Sequence, residues 1–341
     1  MRAIPHIGRI GRTLYRVGIL FLGALCVPSL FALADGSLRG PVTGLVHDAA
    51  GRAIHRIDGM PGAATMSQAV ALDVDVRAAA FDSALRFALV ASSSGEVYLV
   101  RDPAGDAPQT DRLAGMVEGV ERVALACGGK VAALYSPGRK TVQLVNGLPD
   151  APKVFLSAVL SADAADVTAL ALLPGEAGAL IASQLAGQSK VLRLNADGEI
   201  VLMAEAGSVR ALAVIAADAF VYADSGRNEL VRVRGSGPGA EIAVLAGASD
   251  GVDDPRGLCR LDDGRLLLVN AQGPALLAFD AEGRPSGSLA LEFAPSRCEA
   301  LGAGPVLLLN DAGRGPLYLL DYSQSLQVMF VPAPPGERNR Q

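Results

Sequence analysis

Three groups of residues in this chain have types and spacings that chemistry could use. Gly247-Ala248-Ser249-Asp250-Gly251 spells G-x-S-x-G, the turn that holds a serine nucleophile between a strand and a helix. Such a serine needs a histidine base. No histidine follows Gly251, and no helical pattern follows it either, so the five residues read as a loop. His47 and His55 flank a short turn beside Asp48. If the two rings met across a hairpin they would make a metal or acid–base set; otherwise they are ordinary polar positions of that hairpin. Asp250, Asp253, Asp254, Asp262 and Asp263 offer the oxygen ligands calcium prefers. Their spacing is not that of an EF-hand loop, and the two ends of the cluster are expected on opposite sides of a strand, so they read as solvated turns. These readings assign no catalytic residue, no metal ligand and no cofactor.

The elements that must position any site begin after a leader. Arg2, Arg9, Arg12 and Arg16 precede an apolar run from Val17 to Ala34 that ends in Ala32-Leu33-Ala34. A basic start, an apolar stretch and a small-residue end describe a signal peptide over 1–34, cut before Asp35; an uncleaved anchor is the alternative. The expected location is outside the cytoplasm, periplasmic or extracellular in a bacterium. Loss of four arginines takes the net charge from −5 to about −9. That balance argues against a nucleic-acid partner, whose phosphates demand a basic surface. No segment after the leader is long and apolar enough to span a membrane.

Cys127, Cys259 and Cys298 then remain. An odd number leaves at least one thiol without an internal partner. All three are expected as small buried residues on strands, with a Cys259–Cys298 bridge as the alternative in an oxidising compartment.

Beyond the leader, short Val- and Leu-rich runs recur between Gly, Asp, Asn and Pro. GRLLLVN (264–270), PVLLLN (305–310) and KVAALYS (130–136) read as strands covered on both faces. First strands of a four-stranded unit start near Val76, Glu121, Val167, Val209, Arg256 and Arg297, at spacings of about 41–47 residues, the range of propeller blades. Turns recur in register at SSSGE (92–96), SPGRK (136–140), ADSGRNE (223–229), NAQGPA (270–275) and NDAGRGP (310–316), and again at NADGE (195–199) and DAEGRPS (280–286). Each supplies a residue able to take positive φ. The predicted fold is an all-β propeller of six or seven four-stranded blades over 35–331, followed by a disordered tail at 332–341. GLVHDAAGRAIHRIDG (44–59) reads as the third strand, turn and fourth strand of a further blade. It would stand as a two-stranded seventh blade, or pair with C-terminal strands to close the ring.

One stretch carries a family resemblance. In GASDGVDDPRGLCRLDDGRLLLVNAQGPALLAFDAEGR (247–284), Asp250-Gly251, Pro255-Arg256-Gly257 and Asp263-Gly264 sit where an NHL-type repeat has its loop, its entry to the first strand and its next turn. Ala223-Asp224-Ser225-Gly226-Arg227-Asn228 resembles that family's turn after the second strand. The resemblance implies a propeller and leaves chemistry open. The absence of Trp argues against the WD type.

The predicted working surface is the face with the second-to-third-strand turns and the interblade loops. Its candidate ligand-binding residues are Asp224, Arg227, Asn228, Asp254, Arg256, Gln272, Asp311 and Arg314, with Arg139, Lys140 and Gln188 further round the ring. The expected role is non-catalytic binding of a protein, peptide or envelope component. The alternative is a propeller-type lyase or lactonase-like enzyme with a metal at the channel mouth.

Overall fold

The computed structural model describes residues 40–333 apart from 163, 165, 238 and 314. The predicted leader, most of the predicted tail and Arg314 lie outside the described residues. The described chain forms seven antiparallel sheets, each from one continuous stretch of sequence. It is a seven-bladed β-propeller. Inner strands run Val76–Phe81, Arg122–Leu125, Asp166–Leu172, Val209–Ala216, Pro255–Arg260 and Glu299–Ala300. They open blades two to seven, close to the starts predicted from the repeat.

The blades cohere because their second strands are apolar on both sides. All six residues of Phe87–Ser92 and of Ala219–Asp224 are buried, since alternate side chains meet the two neighbouring blades. Between blades three and four, Tyr135, Val142, Ile181 and Leu194 pack together. Between blades four and five, Leu180, Phe220, Tyr222 and Val231 do so. Each such side chain contributes about 1.5–3 kcal/mol on leaving water.

Tyr222 is 2% exposed, and burial pushes its phenol up to about 12, with the nearby Asp224 charge adding to the effect. A raised folded value means the stabilisation is intact below pH 10 and is lost as pH climbs toward 12. Alkaline melts should therefore lose up to about 3 kcal/mol through this group. Tyr222→Phe should flatten that fall, as read by melting temperature between pH 9 and 12.

Blade one corrects the sequence reading. It contains three described strands, Val42–Asp48, Ala53–Asp58 and Thr65–Ala69, in that order across the sheet. The 44–59 hairpin is not a third and fourth strand. Its turn meets the start of the next inner strand, where Val76 N donates to Arg52 O at 2.9 Å. The corresponding second-to-third-strand turn of blade two meets blade three in the same way, with Gly119 N donating to Gly95 O at 2.8 Å. Arg52, Lys140 and Asn228 also share a left-handed backbone at matching turn positions, with φ of 52°, 48° and 54°. Val42–Asp48 and Ala53–Asp58 are thus the second and third strands. The fourth, Thr65–Ala69, has the sequence TMSQA, which lacks the apolar alternation that marks strands.

The ring closes by side-chain packing. Val46, Ile57 and Met66 of blade one form one buried cluster with Leu301, Leu319 and Val331 of blade seven. Among the described residues no sheet combines strands from the two chain ends, so closure by pairing those strands is not seen.

Candidate functional site

The inner strands surround a central cavity of about 690 Å³. Its walls include Arg77, Arg122, Arg210, Arg256 and Arg297, against the acidic Glu121, Glu299 and Asp311. The arginines recur because the first or second residue of most inner strands carries one. That end of the inner strand lies on the face bearing the second-to-third-strand turns and the interblade connections. The cavity mouth and the predicted working surface therefore coincide.

Three of the arginines are neutralised locally. Arg77 pairs with Glu121, Arg256 with Asp254 at 2.7 Å, and Arg297 with Asp311 and, at 3.1 Å, with Glu299. Arg122 and Arg210 have no ion pair or hydrogen bond among the described residues. Burial in the channel wall pulls the Arg122 guanidinium below its ordinary value; the nearby charges of Glu121 and Asp166 oppose the fall, and the like charge of Arg210 adds to it. Two guanidiniums that make no direct ion pair among the described residues, in one cavity, form a place for carboxylate or phosphate oxygens.

The predicted surface residues fall into distinct roles. Asp224 is fully buried. Its carboxylate accepts from the backbone N–H of Gly207, Ser208, Gly226 and Arg227 at 2.7, 2.7, 2.9 and 3.2 Å. It fixes the turn and joins blade four's exit to blade five. Asn228 Oδ1 accepts from Asp254 N at 2.9 Å, tying blade five to the entry of blade six. Arg227 is half exposed beside Asp224 at 3.8 Å, and Gln272 is exposed. Arg256 and Asp311 reach the cavity wall. Arg139 pairs with Glu118 at 3.1 Å on the surface, while Lys140 and Gln188 stand at strand starts on the same side. Sequence reasoning missed Arg77, Arg122, Arg210 and Arg297. Their signal was present as a basic residue near the start of successive first strands.

The chemistry-bearing motifs resolve into structural positions. His47 is paired with Ile54, and His55 with Val46, so the two rings project from opposite faces. His55 is buried and its Nδ1 lies 3.0 Å from Ser67 O, so this position of the hairpin is interior and not on an ordinary polar face. His47 Nε2 lies 3.3 Å from Val76 O, and burial pulls its pKa down. Ser249 falls in a one-turn 3-10 helix over Ala248–Asp250. Asp263 lies in the turn between blade six's first two strands and pairs with Arg265 at 2.7 Å. Among the described residues no three of His, Cys, Asp and Glu converge as metal ligands.

Of the cysteines, Cys298 is buried and Cys259 is half-buried on a strand, close to expectation, while Cys127 departs from it. Cys127 is exposed in a turn. Cys259 and Cys298 are neighbours on adjoining blades, both free thiols, and Cys259 Sγ–H donates to Cys298 O at 2.6 Å. The hydrogen bond with Cys298 and burial together push the Cys259 thiol well up, so it stays protonated and slow to react. Recombinant 35–341 should therefore show one fast thiol with a chromogenic disulfide reagent, and three after denaturation without reductant. Release of only one thiol on denaturation would reveal a Cys259–Cys298 bridge.

No family model and no curated protein matches this chain. Solved structures do match. A functionally unknown protein from Desulfotomaculum acetoxidans is 15% identical with a TM-score of 0.58, covering 85% of this chain and 99% of that one. Virginiamycin B lyase from Staphylococcus aureus is 13% identical with a TM-score of 0.55, covering 75% and 83%. Kuenenia stuttgartiensis hydrazine synthase is 11% identical with a TM-score of 0.58, covering 88% and 99%. What is shared is the fold. Identities this low carry no chemistry across.

Proposed function

We propose that this chain is an exported, NHL-like propeller that acts by binding, holding a protein or peptide ligand at the channel mouth. The observation that carries the reading is the Arg122–Arg210 pair, which makes no direct ion pair among the described residues while Arg77, Arg256 and Arg297 are each bound to a carboxylate. Unspent charge at the mouth of a rigid ring is a binding device. The exported location rests on the leader at 1–34, and the NHL likeness on the 247–284 stretch.

Affinity capture from envelope extract with tagged 35–341 tests it. A partner should be enriched in proportion to bait and fall at least tenfold with the Arg122→Ala/Arg210→Ala double variant. Clean bait, or a partner indifferent to both arginines, would count against this site.

A further inference from the structure

Among the described residues blade one has no strand on the channel side of Val42–Asp48. In blades two to seven an inner strand pairs with the channel side of the second strand; in blade five, for example, Val209 faces Asp224 and Val214 faces Phe220. In blade one the second strand, Val42–Asp48, pairs only with Ala53–Asp58, and no described strand pairs with its channel side. Leu45, Val46 and His47 line the same cavity as Arg122 and Arg210. The side chains of Leu45 and Val46 are buried against neighbouring blades, so the edge offers the cavity chiefly its backbone.

An open edge presents a row of N–H and C=O groups that an extended chain can pair with. Two independent observations therefore meet in one cavity: a strand edge that no described strand pairs with, and two arginines that make no direct ion pair among the described residues. Resting on the binding role above, we infer that the ligand is an extended acidic peptide segment of a partner protein. It adds along Val42–Asp48 as blade one's inner strand, antiparallel to it as in the other six blades, and turns carboxylates toward Arg122 and Arg210. Val42–Asp48 is seven residues long, at roughly 3.3 Å each, which sets the upper limit on the length of the segment; Leu301 and Gly302 of blade seven pack closely at its Thr43–Gly44 end. Main-chain pairing would supply affinity, and charge would select acidic sequences.

The test uses recombinant 35–341 and three fluorescein-labelled seven-residue peptides. One alternates Glu with Val, one alternates Lys with Val, and one is the Glu peptide N-methylated at every second amide on its pairing edge. The Glu peptide should bind at least tenfold more tightly than either of the others by anisotropy. Arg122→Ala/Arg210→Ala should weaken it at least tenfold, and hydrogen exchange at residues 42–48 should slow on binding. Equal binding of the N-methylated copy would reduce the site to an anion pocket and overturn strand addition. Edge amides already protected in the free protein, and released when the chain ends after Ala333, would show that this chain fills its own vacancy; that too overturns the proposal. If none of the peptides binds while the captured partner still depends on the two arginines, this inference fails and the binding role stands.

Discussion

Asp224→Ala should lower the unfolding free energy by about 3–5 kcal/mol, the range for stripping a buried charge-assisted cluster of its acceptor. The carboxylate is inaccessible to solvent and serves four backbone donors at once. Without it, those N–H groups lose their partner where water enters poorly, and the connection at Gly207 and Ser208 loses its anchor. The melting temperature should fall by several degrees. Asp280→Ala provides the comparison. Asp280 accepts from Glu282 N and Arg284 N at 3.1 and 2.8 Å, but beside exposed residues where water can replace it, so about 1 kcal/mol or less is expected. Equal losses in the two variants would refute the role given to Asp224. Any binding defect of Asp224→Ala should then track its stability defect across temperature, because the side chain cannot touch a ligand.

Gly257→Ala should cost about 3 kcal/mol or prevent folding outright. A Cβ on Gly257 would stand 2.6 Å from the carbonyl carbon of Arg297 and 2.9 Å from Val269 Cγ2, and closer still to Cys298 N. The obstruction is mostly backbone of the adjoining inner strand, which cannot swing aside as a long side chain can. Gly287→Ala, with nothing within 4 Å of its would-be Cβ, should be neutral or slightly stabilising. Comparable expression and melting of both variants would show that blades six and seven have more slack than the coordinates indicate.

Gly257 also shows what the sequence discloses. The Pro255-Arg256-Gly257 triplet was legible as a strand entry, and blade spacing placed six inner strands nearly correctly. Why the glycine must be there was not legible, because the reason is another blade's backbone about forty residues away in sequence. The 44–59 hairpin was assigned the wrong place because Asp-Gly-type turns join second to third strands and third to fourth strands alike. What separates the two cases is the buried polar residue that ends five of the seven second strands: Asp48, Ser92, Ser136, Asp224 and Asn270. Its burial is a three-dimensional fact. For the same reason Asp224 looked like a surface ligand from its type and turn position. The arginine series could be read from the repeat. Which of its members remain unpaired depends on neighbours such as Glu121 and Asp311, set by the ring.

Closure by packing alone has a mechanical consequence. Every other junction between blades is crossed by a covalent connection, whereas the junction of blades one and seven depends, among the described residues, on an apolar clasp around Val46, Ile57, Leu301 and Val331. Among the described residues, opening that clasp would break no strand pairing and no chain connection, so it is where the ring is expected to yield first. Widening there would change the bore of the channel and the room beside Val42–Asp48 together, and would give a long occupant a sideways way in instead of a threaded one.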